Sequence, residues 1–155
     1  MRICDILNQE RIVVDVAGER VVDKKSALLT LGSLLAPSVG VDEAEVFRLL
    51  TEREKLQSTG IGDGVAIPHA STDEAPGQVA ALLVCARGIP FDAIDGAPVK
   101  IVFGVVGPRR ATGEHLRTLA RISRLLRDTN VRAHLVESAN PGAACELVVA
   151  QDALL

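Results

Sequence analysis

The sequence predicts an α/β fold: a three-layer α/β/α sandwich around a mixed central sheet, built as a single domain over residues 1–155. Three observations predict it. Residues 79–86 and 100–106 are continuous apolar runs rich in valine, leucine and isoleucine, the pattern of strands covered on both faces. Segments of helical periodicity stand before and after these runs, so helices are available for both sides of the sheet. A chain of 155 residues, 48% hydrophobic and 24% charged, has a globular composition and the length to bury a core.

The elements follow in order. Residues 11–16, Arg-Ile-Val-Val-Asp-Val, are β-branched and read as a first strand. A polar stretch leads to a helix with Asp23 as N-cap, Leu28, Leu31 and Leu35 at helical spacing, and Pro37 as its end. A second helix opens at Asp42, with Glu45 three positions on completing a capping box. Its apolar stripe is Val46, Leu49 and Leu50, and continuing that stripe lands on Arg53; Arg48 and Glu52 predict an outer-face ion pair. Glycines 60, 62 and 64 then allow a tight loop, and Pro68 biases Ile67 toward extended backbone. A short strand over 65–69, ending on His69, and a polar break over 71–77 are predicted. Asp95-Gly96 marks a hairpin turn between the two apolar runs. Beyond Pro108 a helix places His115, Leu119, Ile122 and Leu126 on one face, with Arg117, Arg121, Arg124 and Arg127 mostly turned away. Two helices over 128–137 and 141–152 close the chain, the last with Asn140 as N-cap and Pro141 at its first position.

Composition removes several functions. The formal net charge is −3 and there is no Trp or Tyr, which argues against a nucleic-acid binder and removes the stacking platforms that grip single strands. Charge is uneven, however: residues 109–132 hold seven arginines against Glu114 and Asp128, either a solvated helix face or a docking patch for an acidic or phosphorylated partner. Cys4, Cys85 and Cys145 match no zinc or disulfide spacing and read as reduced thiols. The longest apolar run is far short of the roughly 20 residues that cross a bilayer, and the first residues lack the apolar centre of a secretion signal. A cytoplasmic protein with no membrane insertion is expected.

Chemistry concentrates in Gln57-Ser-Thr-Gly-Ile-Gly-Asp-Gly-Val-Ala-Ile-Pro-His69-Ala70. The glycine spacing is neither a dinucleotide fingerprint nor a P-loop, and no helix follows to receive a phosphate. A serine nucleophile elbow is absent, and His69, His115 and His134 show no ligand spacing, so neither metal nor cofactor is expected. What remains is a histidine nucleophile taking a phosphoryl group, which needs cationic or hydrogen-bonding groups around the phosphoryl oxygens. Arg53 and His115 are the candidates. Each also has a plainer reading, Arg53 as a side chain reaching past the core edge to solvent and His115 as a core-edge histidine. His134 reads as a surface residue.

The segment from Leu56 to Ala70 closely resembles the active-site segment of type 2 enzyme IIA domains of the bacterial phosphoenolpyruvate:sugar phosphotransferase system (PTS), the fructose/mannitol and nitrogen-regulatory branch. Glu52-Arg-Glu-Lys55, Gly88-Ile-Pro-Phe-Asp-Ala-Ile-Asp-Gly-Ala-Pro98 and Glu114-His-Leu-Arg-Thr-Leu-Ala-Arg-Ile-Ser-Arg-Leu-Leu126 resemble family segments in family order. The resemblance implies that His69 is the phosphoacceptor, charged on Nε2 by the histidine-phosphorylated carrier protein of the system. It implies that His115 is the second active-site histidine and Arg53 the arginine that offsets phosphate charge. It implies a partner downstream, either a IIB component or a regulatory target protein, with the nitrogen-regulatory role favoured because this chain shows no IIB or membrane segment. Two departures stand out: Ala70 replaces a commoner glycine, and Ser71-Thr-Asp-Glu74 predicts a more acidic rim beside His69 than usual. The competing reading is a binding module that keeps the fold and regulates targets without phosphorylation.

Overall fold

The computed structural model describes residues 1–155. Two short 3-10 turns, Ile3–Asp5 and Gln9–Arg11, precede β1 (Ile12–Asp15), α1 (Lys24–Val39) and α2 (Glu43–Leu56). The chain continues through β2 (Gly60–Gly62), β3 (Val65–Ala66), β4 (His69–Thr72), β5 (Val79–Ile89) and β6 (Val99–Pro108), and closes with α3 (Thr112–Leu125), α4 (Thr129–Val136) and α5 (Pro141–Asp152).

The two apolar runs form the centre of a six-stranded sheet of order β1-β5-β6-β3-β2, with β4 also on β6. β5 and β6 are antiparallel; β1 runs parallel to β5, and β3 and β4 run parallel to β6, so the sheet is mixed as predicted. Alternate residues of the central strands enter opposite cores. Leu83, Val102 and Val106 pack with Leu28, Leu31 and Leu35 of α1 and Val46 and Leu50 of α2. Leu82, Ile101 and Phe103 pack with Ile122 and Leu125 of α3, Leu135 of α4 and Val148 of α5. Both faces are therefore covered, which is why these strands read as unbroken hydrophobic runs and why the layers are α/β/α.

Several local expectations are corrected. Helix α1 does not stop at Pro37 but carries it inside the last turn and runs to Val39. Pro37 removes one N–H near the helix end, where the loss is small; the actual stop is Gly40, left-handed at φ 88° and donating to the Ala36 carbonyl. Asp42 caps α2 through the Glu45 N–H, but the Glu45 carboxylate turns to Arg48, at 2.6 and 2.9 Å, and does not close a capping box. Arg48 is thus taken by Glu45, and Glu52 pairs with Lys55. The strand expected over 65–69 is divided at Ile67-Pro68, because Pro68 has no N–H for the ladder. Its carbonyl still accepts from Val105, so β3 and β4 continue along successive parts of β6. His69 consequently begins β4, and Ser71 and Thr72 belong to that strand and not to a polar break. Arg121 on α3 is not turned away: it reaches the buried Asp152 at 2.6 Å. The closing helices form as read, with Asp128 and Asn140 as N-caps.

Candidate functional site

Breaking the strand at Pro68 leaves the Ile67 carbonyl free of the ladder, and the His69 ring turns back onto it: Nδ1 lies 2.7 Å from the Ile67 oxygen. A carbonyl only accepts, so Nδ1 carries the hydrogen and Nε2 keeps its lone pair. Ile67 is itself anchored. Its N–H donates to the Thr59 carbonyl, and Thr59 donates its own N–H (3.0 Å) and hydroxyl (2.6 Å) to the Glu54 carboxylate. Lys24 Nζ closes the chain of contacts 3.0 Å from Glu54.

The first turn of α3 brings His115 alongside, with ring centroids 5.8 Å apart and planes tilted by 55°. His115 Nδ1 lies 2.8 Å from Gln78 Oε1. Arg53 and His69 line one groove of about 400 Å³, together with Ser58, Thr59, Ile61 and Leu119. The Arg53 guanidinium donates to the Gln57 carbonyl at 2.9 Å and forms no ion pair with a carboxylate. His69 thus stands beside His115 and shares a groove with Arg53, while His134 is exposed on α4.

Both rings are poised to be neutral. Burial pushes the His69 pKa below the ordinary value, the Ile67 carbonyl opposes this, and the Arg53 charge adds to it. Burial, then the neighbouring His69, does the same for His115. A neutral imidazole with a bare Nε2 is the nucleophilic form.

Ile61, which lines the groove, is 49% exposed, and Leu56 and Leu116, next in sequence to Gln57 of the groove and to His115, are exposed at 81% and 61%. A second groove, lined by Glu114, Arg117, Arg121 and Arg124, meets the first at Ala120, so one side of the first groove is basic. The acidic stretch after His69 does not make the rim simply acidic, because Asp73 is matched by Arg109 at 3.1 Å.

Arg53 is half-buried, whereas its neighbour Glu54 is only 7% exposed. The stripe of α2 therefore continues Val46, Leu50, Glu54 at intervals of four, and that spacing was the signal available for a buried carboxylate. Gln78 carried no comparable signal: it lies between Gly77 and β5, and only the tertiary fold sets it against His115. No cluster of three or more His, Cys, Asp or Glu side chains is placed to hold a metal ion, and no helix is long and apolar enough to cross a membrane.

Residues 5–150 match the family model described as phosphoenolpyruvate-dependent sugar phosphotransferase system, EIIA 2. The chain belongs to this family. It is 38% identical over 135 residues to a nitrogen regulatory protein of Bradyrhizobium diazoefficiens, covering 87% of this chain and 86% of the relative. A nitrogen regulatory protein of Pseudomonas aeruginosa is 36% identical over 150 residues, 96% of each chain. The crystal structure of nitrogen regulatory protein IIA-Ntr from Neisseria meningitidis superposes with a TM-score of 0.87 at 34% identity, covering 94% of this chain and 98% of that one. As an EIIA 2 domain the chain is a phosphotransfer component.

Proposed function

We propose that His69 is the phosphoacceptor of this EIIA domain, taking a phosphoryl group on Nε2 from a histidine-phosphorylated carrier protein. The observation that carries this reading is the His69 Nδ1–H bond to the Ile67 carbonyl, which commits Nε2 as the bare nitrogen beside His115 and Arg53. In the transfer the Nε2 lone pair forms the new N–P bond, and the carrier's N–P bond breaks with its electron pair returning to the carrier imidazole. The hydrogen stays on Nδ1, donated to the Ile67 carbonyl, so the phosphorylated ring bears positive charge and remains a good leaving group for the next acceptor. Arg53 and His115 hold the phosphoryl oxygens as charge moves between the two rings. No cofactor takes part.

The open groove with the exposed Ile61 at its edge fits a protein partner, since a phosphoryl group carried on one protein reaches another only by docking. Two relatives at 38% and 36% identity, matched over 86% and 96% of their length, are nitrogen regulatory proteins, which supports a regulatory role in which the phosphorylation state of the EIIA domain sets target binding. Handing the group to a IIB partner is the transport version of the same chemistry. The test is phosphorylation with phosphoenolpyruvate, its kinase and the carrier protein. The wild-type chain gains one acid-labile phosphate and His69→Ala gains none; label retained in that variant assigns the chemistry elsewhere. His115→Ala folds but transfers about a hundredfold more slowly in both directions, and wild-type rates would remove His115 from the site.

A further inference from the structure

The two site rings are anchored alike. Each has its Nδ1 on an oxygen, the Ile67 carbonyl for His69 and Gln78 Oε1 for His115, and each is left with Nε2. The Ile67 anchor is backbone and is present whatever the side chain; the Gln78 anchor is a choice of residue. Gln78 is 7% exposed, and its Nε2 is buried with no hydrogen-bond partner. An unmet buried donor is destabilising, and a methionine or leucine would fill the same space without one. Room for the amide is made by Gly107 on β6, where a Cβ would collide with Gln78 Nε2 and Oε1. What glutamine supplies here, and an apolar residue does not, is an oxygen on His115.

We propose that Gln78 is a positioning residue for the phosphoryl transfer: it holds His115 as its Nδ1–H tautomer, so that Nε2 is the nitrogen His115 presents at the site. This rests on His69 being the phosphoacceptor. Neutral His115 then shows a lone pair at Nε2 and becomes a donor to the phosphoryl oxygens by taking one proton there from solvent as the anionic phosphoryl group arrives, while Nδ1–H goes on donating to Gln78. The titratable group facing His115 is His69; Glu114 and Arg117 on its own helix are exposed, and Arg109 is committed to Asp73.

The test is nitrogen NMR of the full chain with ¹⁵N-labelled histidine, in the unphosphorylated state, together with transfer rates from the phosphorylated carrier. Wild-type His115 shows a protonated Nδ1 and a bare Nε2. Gln78→Met, close in shape but without the oxygen, gives a mixture of both tautomers and transfer about tenfold slower. Gln78→Glu, with an oxygen in the same place, restores the single tautomer. The proposal is overturned by a wild-type His115 protonated on Nε2 alone, which means a reversed amide, or by a Gln78→Met variant with wild-type tautomer and rate. The wild-type spectrum decides the tautomer even where the methionine variant does not fold. A wild-type chain that takes no phosphate, with the tautomers as stated, instead overturns the reading of His69 and leaves the hold of Gln78 on His115 standing.

Discussion

Replacing Glu54 with alanine tests the anchor beneath the site. The carboxylate accepts the Thr59 N–H at 3.0 Å and the Thr59 hydroxyl at 2.6 Å, and Thr59 is 4% exposed, so water does not replace either bond. Hydrogen bonds to a charged acceptor contribute about 1.5 kcal/mol each at the low end, which sets the expected loss at about 3 kcal/mol. Lys24 adds little to this figure, because it is partly exposed, keeps Asp92 at 3.2 Å and stays over the Phe91 ring. For a chain of this length the loss lowers the melting temperature by roughly 6–12 °C. Urea unfolding followed by circular dichroism measures it, with Glu54→Gln as the isosteric control losing about 2 kcal/mol because its amide oxygen still accepts from one Thr59 donor, as a neutral bond of about 1 kcal/mol. The anchor also reaches the chemistry, since Thr59 holds Ile67 and Ile67 holds the His69 ring. A Glu54→Ala protein within 1 kcal/mol of wild type would refute the idea that this carboxylate braces the site.

Other outcomes follow from the same reasoning. Asp152 is 1% exposed and accepts from Arg121 Nε at 2.6 Å and from the Ile3 N–H at 2.7 Å, so Asp152→Ala costs about 3 kcal/mol in urea unfolding and loosens the N-terminal 3-10 turn in hydrogen exchange. Acid weakens the fold through the two site histidines. Their folded pKa values lie below the ordinary 6.5, so the unfolded chain binds more protons in that window; their contribution is complete above 6.5 and is lost as the pH falls through the folded values. Urea midpoints taken from about pH 8 to about pH 5 therefore fall on the acid side, and fall less in His69→Gln; a midpoint that rises with acid in wild type contradicts the burial argument. Gly104→Ala overpacks the α1 face, because its Cβ would stand 2.9 Å from the Leu31 methyls, and unfolding should show a loss of about 1–3 kcal/mol.

The sequence by itself determined the layer order, the central strands and the three residues proposed for the site. Continuous apolar runs at 79–86 and 100–106 are legible because strands covered on both faces admit nothing else, and capping residues such as Asp23, Asp128 and Asn140 act within a few positions of themselves. His69, His115 and Arg53 stood out through a glycine-rich segment, an inward helix face and an unusual charge. Where two local signals competed, the sequence did not decide. Pro37 is an expected stop that the last turn of α1 tolerates, and the stripe of α2 continued to Glu54 at spacing four, with Arg53 beside it at the groove. The tertiary structure alone decided which oxygen meets each histidine. Ile67 is two residues from His69, but its carbonyl is free only because Pro68 interrupts the ladder against β6; Gln78 is 37 positions from His115, and it reaches that ring only because β6 carries Gly107 there. Hydrogen-bond partners of buried rings depend on packing across the sheet, and no period along the chain records them.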